Sequence, residues 1–553
     1  MVLRIFTRLL FFSLLVSCSN KGQHPEERTS KDVGSPETDL FDSVRVAVHN
    51  KIQKVFTNKE TIIIGKDTIG NIDSLTGIYK KHNYEPFWLR RNRMEGVLTI
   101  LQQASADGLN PEDYQYAKLK KTYADYLANG IDAAQAFDLE LSVSQALLLY
   151  VTHLYNGKVD PVTIFPEWNY QKPDSEIISD SMLISYFTGN LDSLPIILRP
   201  HYEIYESLRK TLKLADSLGV QPIYTQKIPY VGRTLICGDT SFVISEIKKR
   251  LQSTSEYNFD SLNNNFDEQL RESIKIFQDH VGIKPTGKLD KKTIEKLNFT
   301  AEEVCAAIRV NMERFRWLPN NLPEEFVLVN IADYTLRHFK KGEVVYSESV
   351  IVGRELNTTP VFEAMMTYIE FNPYWTVPHS IATKEILPSL KRNPDYLQSH
   401  NMNLFKGNDE IAMPHSFSNY TEENFPFTIR ENPGTKNSLG QVKFMFPNPY
   451  SIYLHDTPGK YLFDRDERSF SHGCIRLKNP LKFALHVLST QGVTQKQIDQ
   501  IVQANKNYVI PLKNKLPVML TYFTCYSKKG DSHPYFFKDI YGKDKAILEA
   551  LEE

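Results

Sequence analysis

The spacing of apolar residues changes along the chain, and the change divides it. From about residue 40 to 220 the period is helical. Glu95 to Ala106 sets Val97, Leu98, Ile100, Leu101 and Ala104 on one broad face, and Phe137 to Leu154 has the same amphipathic character. Between them, Asp107-Gly108-Leu109-Asn110-Pro111 predicts a glycine stop followed by an Asn-Pro helix start. Residues 192–226 predict helical pieces broken by prolines. From Gly238 to Phe299 three short helices are expected: one through Phe242, Ile247 and Leu251, one through Leu270, Ile274 and Phe277, and, after Gly282, one ending at Leu297. A further helix runs from Glu302 to Phe315. Beyond Trp317 the period falls to two. Strands are expected at 325–331, 334–339 and 344–352, with a turn at Lys341-Gly342, and then at 365–371, 441–446, 450–454 and 508–511. The last pair, 518–525 and 535–538, is joined through Lys528-Lys529-Gly530-Asp531. A helix begins at Asn479-Pro480 and ends near Leu488.

A chain of 553 residues exceeds one ordinary core. The pattern predicts a multidomain α+β protein with a helical scaffold domain at 40–230, a small three-helix domain at 231–300 and a linker helix at 301–320. A mainly β domain follows at 321–526, then a hairpin strand and tail at 527–553. Within the β domain, 383–427 interrupts two strands. It begins helical at Ile386, Leu387 and Leu390 and becomes rich in Asn, Ser and His. Insertions of this length are lids or spacers, and a lid over a cleft is the expectation.

The net charge of −1 supplies no bulk field for a polyanion, and no nucleic-acid partner is expected. The N-terminus alters the picture more. Arg4 and Arg8 precede the apolar run Leu9 to Val16, the pattern of a secretory signal too short to span a bilayer. The run ends in Leu15-Val16-Ser17-Cys18, which resembles a bacterial lipobox. Cleavage of this signal segment (residues 1–18) just before Cys18 would leave Cys18 as the first residue, carrying lipid and anchoring the chain to a membrane in the periplasm; an ordinary signal with a chance cysteine is the alternative. Residues 19–39, polar and proline-containing, predict a flexible tether.

Candidate chemistry centres on Cys474, which sits in Ser469-Phe470-Ser471-His472-Gly473-Cys474-Ile475-Arg476, with His455 in Tyr453-Leu454-His455-Asp456 upstream. A thiol becomes a strong nucleophile when a neighbouring imidazole takes its proton near neutral pH. An inert core cysteine is the bland reading, but this polar run is poor core company. A zinc site from His455, Asp456, His472 and Cys474 would lack the short-spaced ligand pairs of common zinc signatures, so no metal is expected. Cys237, Cys305 and Cys525 are scattered singly and indicate no disulfide framework.

His455 followed by Ser471-His472-Gly473-Cys474-Ile475-Arg476 resembles the signature of the L,D-transpeptidases, the YkuD-type cysteine enzymes of bacterial wall crosslinking. Asn311-Met312-Glu313-Arg314, Thr359-Pro360-Val361-Phe362, Phe371-Asn372-Pro373-Tyr374-Trp375 and Phe446-Pro447-Asn448 resemble blocks of its large YcbB-like subfamily. Phe266-Asp267, Phe277-Gln278 and Gly282 resemble a peptidoglycan-binding-type repeat, whose role is either wall binding or bracing a neighbour. Arg476 stands where smaller members have Asn, and Glu431 where Gln is more usual.

This resemblance implies Cys474 as nucleophile and His455 as base, the second ring nitrogen donating to the backbone carbonyl of Asp456 or, as alternative, to its side chain. The N–H groups of Gly473 and Cys474, with His472, are the implied oxyanion donors; His472 as base is the alternative. Ser471 and Arg476 would hold the turn and substrate carboxylates, and Tyr453 and Trp375 would wall the groove, core packing being the alternative for Trp375. The implied substrates are peptidoglycan stem peptides, handled by a monomer without cofactor. A hydrolase of the same fold and a non-catalytic wall-binding lipoprotein remain alternatives.

Overall fold

The computed structural model describes residues 42–58, 60–64, 67–170, 180–219, 226–253, 258–414, 416–527 and 534–553. The signal-like segment with Cys18, the tether at 19–39 and the predicted hairpin turn at 528–531 lie outside the described residues. No described helix is long and apolar enough to cross a membrane.

The helical region is built on Ala133–Asn156, which buries residues on nearly all sides, among them Phe137, Leu141, Leu147, Tyr150 and Leu154. Asp132 and Gln135 close its N-terminus with reciprocal side-chain bonds, satisfying donors that the first turn leaves open. Around it pack Asp42–Asn58, Ile72–Lys81, Arg91–Gln102 and Tyr116–Asn129, with a short strand pair, β1 (Ile63–Ile64) and β2 (Asp67–Thr68). The Gly108 stop is present, at φ 71 after a 3₁₀ turn over Gln103–Asp107. The Asn110-Pro111 start yields only a 3₁₀ turn, Pro111–Tyr114, because Gln115 adopts φ 54 and forces a second start at Tyr116.

The three small helices form at Phe242–Ser253, Glu268–His280 and Lys291–Leu297 around Ile244, Ile247, Leu270, Ile274, Leu289 and Leu297. Gln278 of the Phe-Gln pair is buried. Its amide donates to Lys288 O and Thr293 Oγ1, both at 2.9 Å, and accepts from Gly287 N at 2.8 Å. That motif residue therefore ties the fold's own turn together.

The linker helix, Ala301–Arg316, leads into β3 (Glu325–Asn330), β4 (Thr335–Lys340), β5 (Glu343–Gly353) and β6 (Glu363–Phe371). An insertion contributes β7 (Trp375–Thr376), β8 (Met402–Lys406), β9 (Asp409–Ile411) and β10 (Thr428–Glu431). Then come β11 (Val442–Met445), β12 (Leu454–His455), β13 (Ser469–Ser471), β14 (Ile475–Leu477), β15 (Tyr508–Thr521), β16 (Cys525–Ser527) and β17 (Pro534–Phe536). The main sheet runs β13-β5-β14-β12-β11-β6-β15-β3-β4, and β5 also pairs with β4, so its two ends meet on one long strand. Such closure removes exposed edges and encloses a single core of Val327, Leu336, Ile369, Phe444, Leu454, Ile475 and Leu520.

Several expectations are corrected. The strands expected at 508–511 and 518–525 are continuous as β15, which ends at Thr521 with its register shifted between Pro511 and Leu516, and it is the separate strand β16 that pairs with β17. The strand expected at 450–454 is only Leu454–His455. Ser451 at φ 56 makes Tyr450–Ile452 a turn, held by Asn448 Oδ1 accepting from Tyr450 and Ile452 N–H. The C-terminal tail contains a helix, Asp544–Glu552, that buries Ile547 and Leu551. The insertion is wider than 383–427: its sheet, ordered β7-β10-β8-β9, spans Trp375 to Glu431 and carries its own core of Val377, Ile386, Leu390, Leu404, Phe425 and Ile429.

Candidate active site

Three adjacent strands assemble the site. β12 and β14 run parallel, pairing Leu454 with Ile475 and His455 with Arg476, while β11 pairs antiparallel with β12, setting Lys443 opposite His455. Cys474 immediately precedes β14. Its approach is fixed by Gly473 at φ 116, a region that L side chains rarely adopt, where a Cβ would also stand 3.2 Å from Ile452 Cδ1. Ser471 stitches the turn: its hydroxyl donates to Cys474 O at 2.5 Å and accepts from Gly473 N at 3.1 Å. Thr359 Oγ1 donates to Gly473 O at 2.7 Å. The Tyr541 hydroxyl, from the C-terminal region, accepts from Thr359 N and donates to Gly353 O.

This arrangement corrects one assignment. The Gly473 N–H, expected to face a developing oxyanion, is already donated to Ser471 Oγ. The Cys474 N–H is the donor of that pair left over.

Cys474 is half-buried, and its sulfur lies 3.7 Å from Ser451 O. Burial pushes the thiol up; the Tyr453 N–H and hydroxyl, then Lys443 and Arg476, pull it down. His455 is buried, and burial, followed by the Arg476 charge, holds its ring down at about 3. A thiol held up and an imidazole held down rest as a neutral pair. His455 Nδ1 is buried without a hydrogen-bond partner, although the nearby Asp456 carbonyl favours ring protonation. A neutral imidazole keeps one ring nitrogen with a free lone pair, and that nitrogen can accept a proton.

The Asp456 carboxylate does not face the ring. Oδ2 accepts from Gln441 N at 2.9 Å, Oδ1 from Thr457 N at 2.7 Å, and Lys460 Nζ pairs with it at 2.7 Å. It holds the loop after His455. His472 is exposed and turned outward, its Nε2 2.7 Å from Glu385 Oε1 of the insertion. Arg476 is half-buried opposite His455 with its Nε unpartnered, and burial pulls its guanidinium down. Trp375 opens the insertion as the first residue of β7, and its ring hydrogen-bonds the Tyr453 hydroxyl, which also meets Cys474. Burial, then the Cys474 charge, pushes that phenol up. Glu431, at the end of β10, accepts from Ser438 N at 3.0 Å.

Sequence reasoning missed Lys443 and Glu385. Lys443 stands at an alternating strand position and looks like a solvent-facing lysine. Glu385 lies in a π-helical turn, Ala382–Ile386, that nothing in the pattern foretells. Among the described residues no group of three or more His, Cys, Asp or Glu side chains could hold a metal ion.

The chain is similar to known proteins in three stretches. Residues 324–498 match the family model described as "L,D-transpeptidase catalytic domain", residues 73–212 that of a "Scaffold domain", and residues 243–297 a "Putative peptidoglycan binding domain". A Haemophilus influenzae protein named "Putative L,D-transpeptidase" is 30% identical over 265 residues, covering 47% of this chain. The chain spans about half the length of that curated relative, 53%. Among solved structures, an L,D-transpeptidase from Xylanimonas cellulosilytica matches over 53% of this chain and 99% of its own, at 13% identity and a TM-score of 0.18. One from Stackebrandtia nassauensis matches over 53% and 95%, at 12% identity and a TM-score of 0.21. The chain thus joins a scaffold domain and a peptidoglycan-binding-type domain to a YkuD-type L,D-transpeptidase catalytic domain, the domain set of the YcbB-like L,D-transpeptidases.

Proposed function

We propose that this protein is a cysteine L,D-transpeptidase of bacterial peptidoglycan, with Cys474 as nucleophile and His455 as base. The carrying observation is the unpartnered, buried Nδ1 of a His455 held neutral on the strand beside Cys474. The Cys474 sulfur attacks the carbonyl between the third residue of a donor stem tetrapeptide and its terminal D-Ala while His455 takes the thiol proton. The C–N bond breaks, the proton passes to the departing amine of D-Ala, and a thioester remains. The amine of a second stem's third residue then attacks, its proton goes to His455, and the thiolate leaves as the crosslink forms.

Negative charge on the attacked oxygen is met by the Cys474 N–H, the donor that Ser471 leaves unused. Arg476, half-buried with its Nε unpartnered, fits a substrate carboxylate, because a buried cation without a counterion is costly until an anion arrives. Tyr453 and Trp375 form one wall, and the folded insertion serves as the lid that favours amine over water. The signal-like N-terminus and wall-directed domains fit a lipid-anchored periplasmic location through Cys18.

Incubating the full-length chain in detergent with disaccharide-tetrapeptide, and weighing the products, tests this reading. The expected product is a dimer lacking one D-Ala. A tripeptide alone would identify a carboxypeptidase, and unchanged substrate a non-catalytic binder. Cys474→Ala should abolish product formation, and crosslinking that persists in this variant refutes the assignment.

A further inference from the structure

Lys443 is a second cation at the site for which the reaction scheme above has no use. Its strand sets it between two partners, His455 on β12 and Glu370 on β6. Its ammonium lies 4.2 Å from the centroid of the Tyr453 ring, the ring whose hydroxyl meets the Cys474 sulfur. Among the described residues no carboxylate lies within ion-pair distance of it, and Glu370, across the strand, takes a hydrogen bond from Asn507 Nδ2 at 2.8 Å. A half-buried ammonium resting on a π face keeps most of its charge unneutralised. The groups that face it are Glu370, Tyr453, His455, Cys474 and Arg476. Only Cys474 changes from neutral to anionic during acyl transfer.

We infer that Lys443 is the electrostatic partner of the Cys474 sulfur, holding the thiolate's charge as the proton leaves for His455 and again when the thioester breaks down. The inference deepens the nucleophile assignment and rests on it. Burial pulls the Lys443 ammonium down, while Glu370 and Cys474 push it back up, so forming the thiolate also keeps the lysine charged. Lys443 is a positioning residue: it acts through the field at sulfur, beside the Tyr453 ring, and needs no contact with substrate.

The test follows alkylation of Cys474 by iodoacetamide against pH in the full-length protein, by mass of the Cys474 peptide, beside steady-state crosslinking. Lys443→Met should move the alkylation midpoint up by about one pH unit and lower kcat about tenfold, with KM within about twofold. Lys443→Arg should restore both. Glu370→Gln, which removes the opposing charge, should move the midpoint down, a direction that structural damage does not produce. Unmoved midpoints in Lys443→Met and Glu370→Gln overturn the inference, as does a loss confined to KM, which would make Lys443 a substrate-carboxylate residue. Crosslinking that survives Cys474→Ala would overturn the nucleophile assignment instead, whatever the alkylation midpoints show.

Discussion

At the scale of single residues, the site is shaped by what burial does to groups of opposite charge type. Desolvation disfavours whichever form carries charge, so it raises the Cys474 thiol and lowers His455. One consequence is measurable in stability. In the unfolded chain His455 protonates near its ordinary value of about 6.5, whereas in the fold it stays neutral down to about 3. Between those values the unfolded state binds the extra proton. The contribution is complete above about pH 6.5 and is lost as pH falls toward 3, by at most about 1.4 kcal/mol per pH unit. His153, held at about 4 by burial, slopes the same way. His455→Gln should therefore flatten the acid limb without abolishing it. Urea midpoints at pH 7, 5 and 4 check this, and parallel losses in both proteins contradict it.

The same residue scale shows what the sequence makes legible and what it leaves hidden. Cys474, His455, Ser471 and Gly473 stand out because their types and spacing are chemically unusual together. The donor role of Gly473 was misjudged because hydrogen-bond allocation is a property of the folded turn, where Ser471 Oγ claims the N–H first. Lys443 was invisible for a related reason: alternation along β11 is silent about whether the polar face meets water or a histidine on the neighbouring strand.

At the scale of elements, regular alternation made β3 to β6 readable, and turn chemistry located Gly108 and the three-helix unit. The insertion and its helical start were readable at 383–427, but its full extent and its sheet were not, because the two-residue strand β7 and the strands β8 to β10 each sample the pattern too briefly to set a period. It is a folded piece with a hydrophobic core of its own. The π-helical turn at Ala382–Ile386 aims Glu385 at His472, 2.7 Å away, with Arg354 3.9 Å from the same carboxylate. This carboxylate ties the insertion to the turn before Cys474. Exposed ion pairs are worth about 0–1 kcal/mol, so Glu385→Ala should shift the balance of products only up to about fivefold. The expected direction is toward hydrolysis, seen as a larger tripeptide-to-dimer ratio by mass. An unchanged ratio would mean that the tie does not govern water entry.

At the scale of the molecule, the helix Ala301–Arg316 carries the coupling between scaffold and catalytic sheet. Arg316 is fully buried: Nε donates to Glu313 Oε2 at 2.9 Å, while Nη1 donates to Asp107 O at 2.8 Å and to Tyr205 OH at 2.9 Å. Asp107 in turn accepts both arms of Arg199, at 2.8 and 2.9 Å. On the other side, Asn311 and Arg314 bond Thr524, beyond the end of β15, and Tyr170 OH reaches Leu520 O. Partners drawn from three segments meet on one guanidinium, so its removal leaves the buried Glu313 with the Val159 and Trp317 N–H groups but without this cation. Breaking a buried pair from one side costs about 3–5 kcal/mol. Arg316→Met should lower stability by that order and separate scaffold from catalytic unfolding in calorimetry, giving two transitions where the parent gives one. Alkylation of Cys474 in the variant below its first transition should keep the parent's pH midpoint, because the turn before Cys474 is held by Ser471, Thr359 and Tyr541. A single unshifted transition would place the coupling elsewhere in the interface.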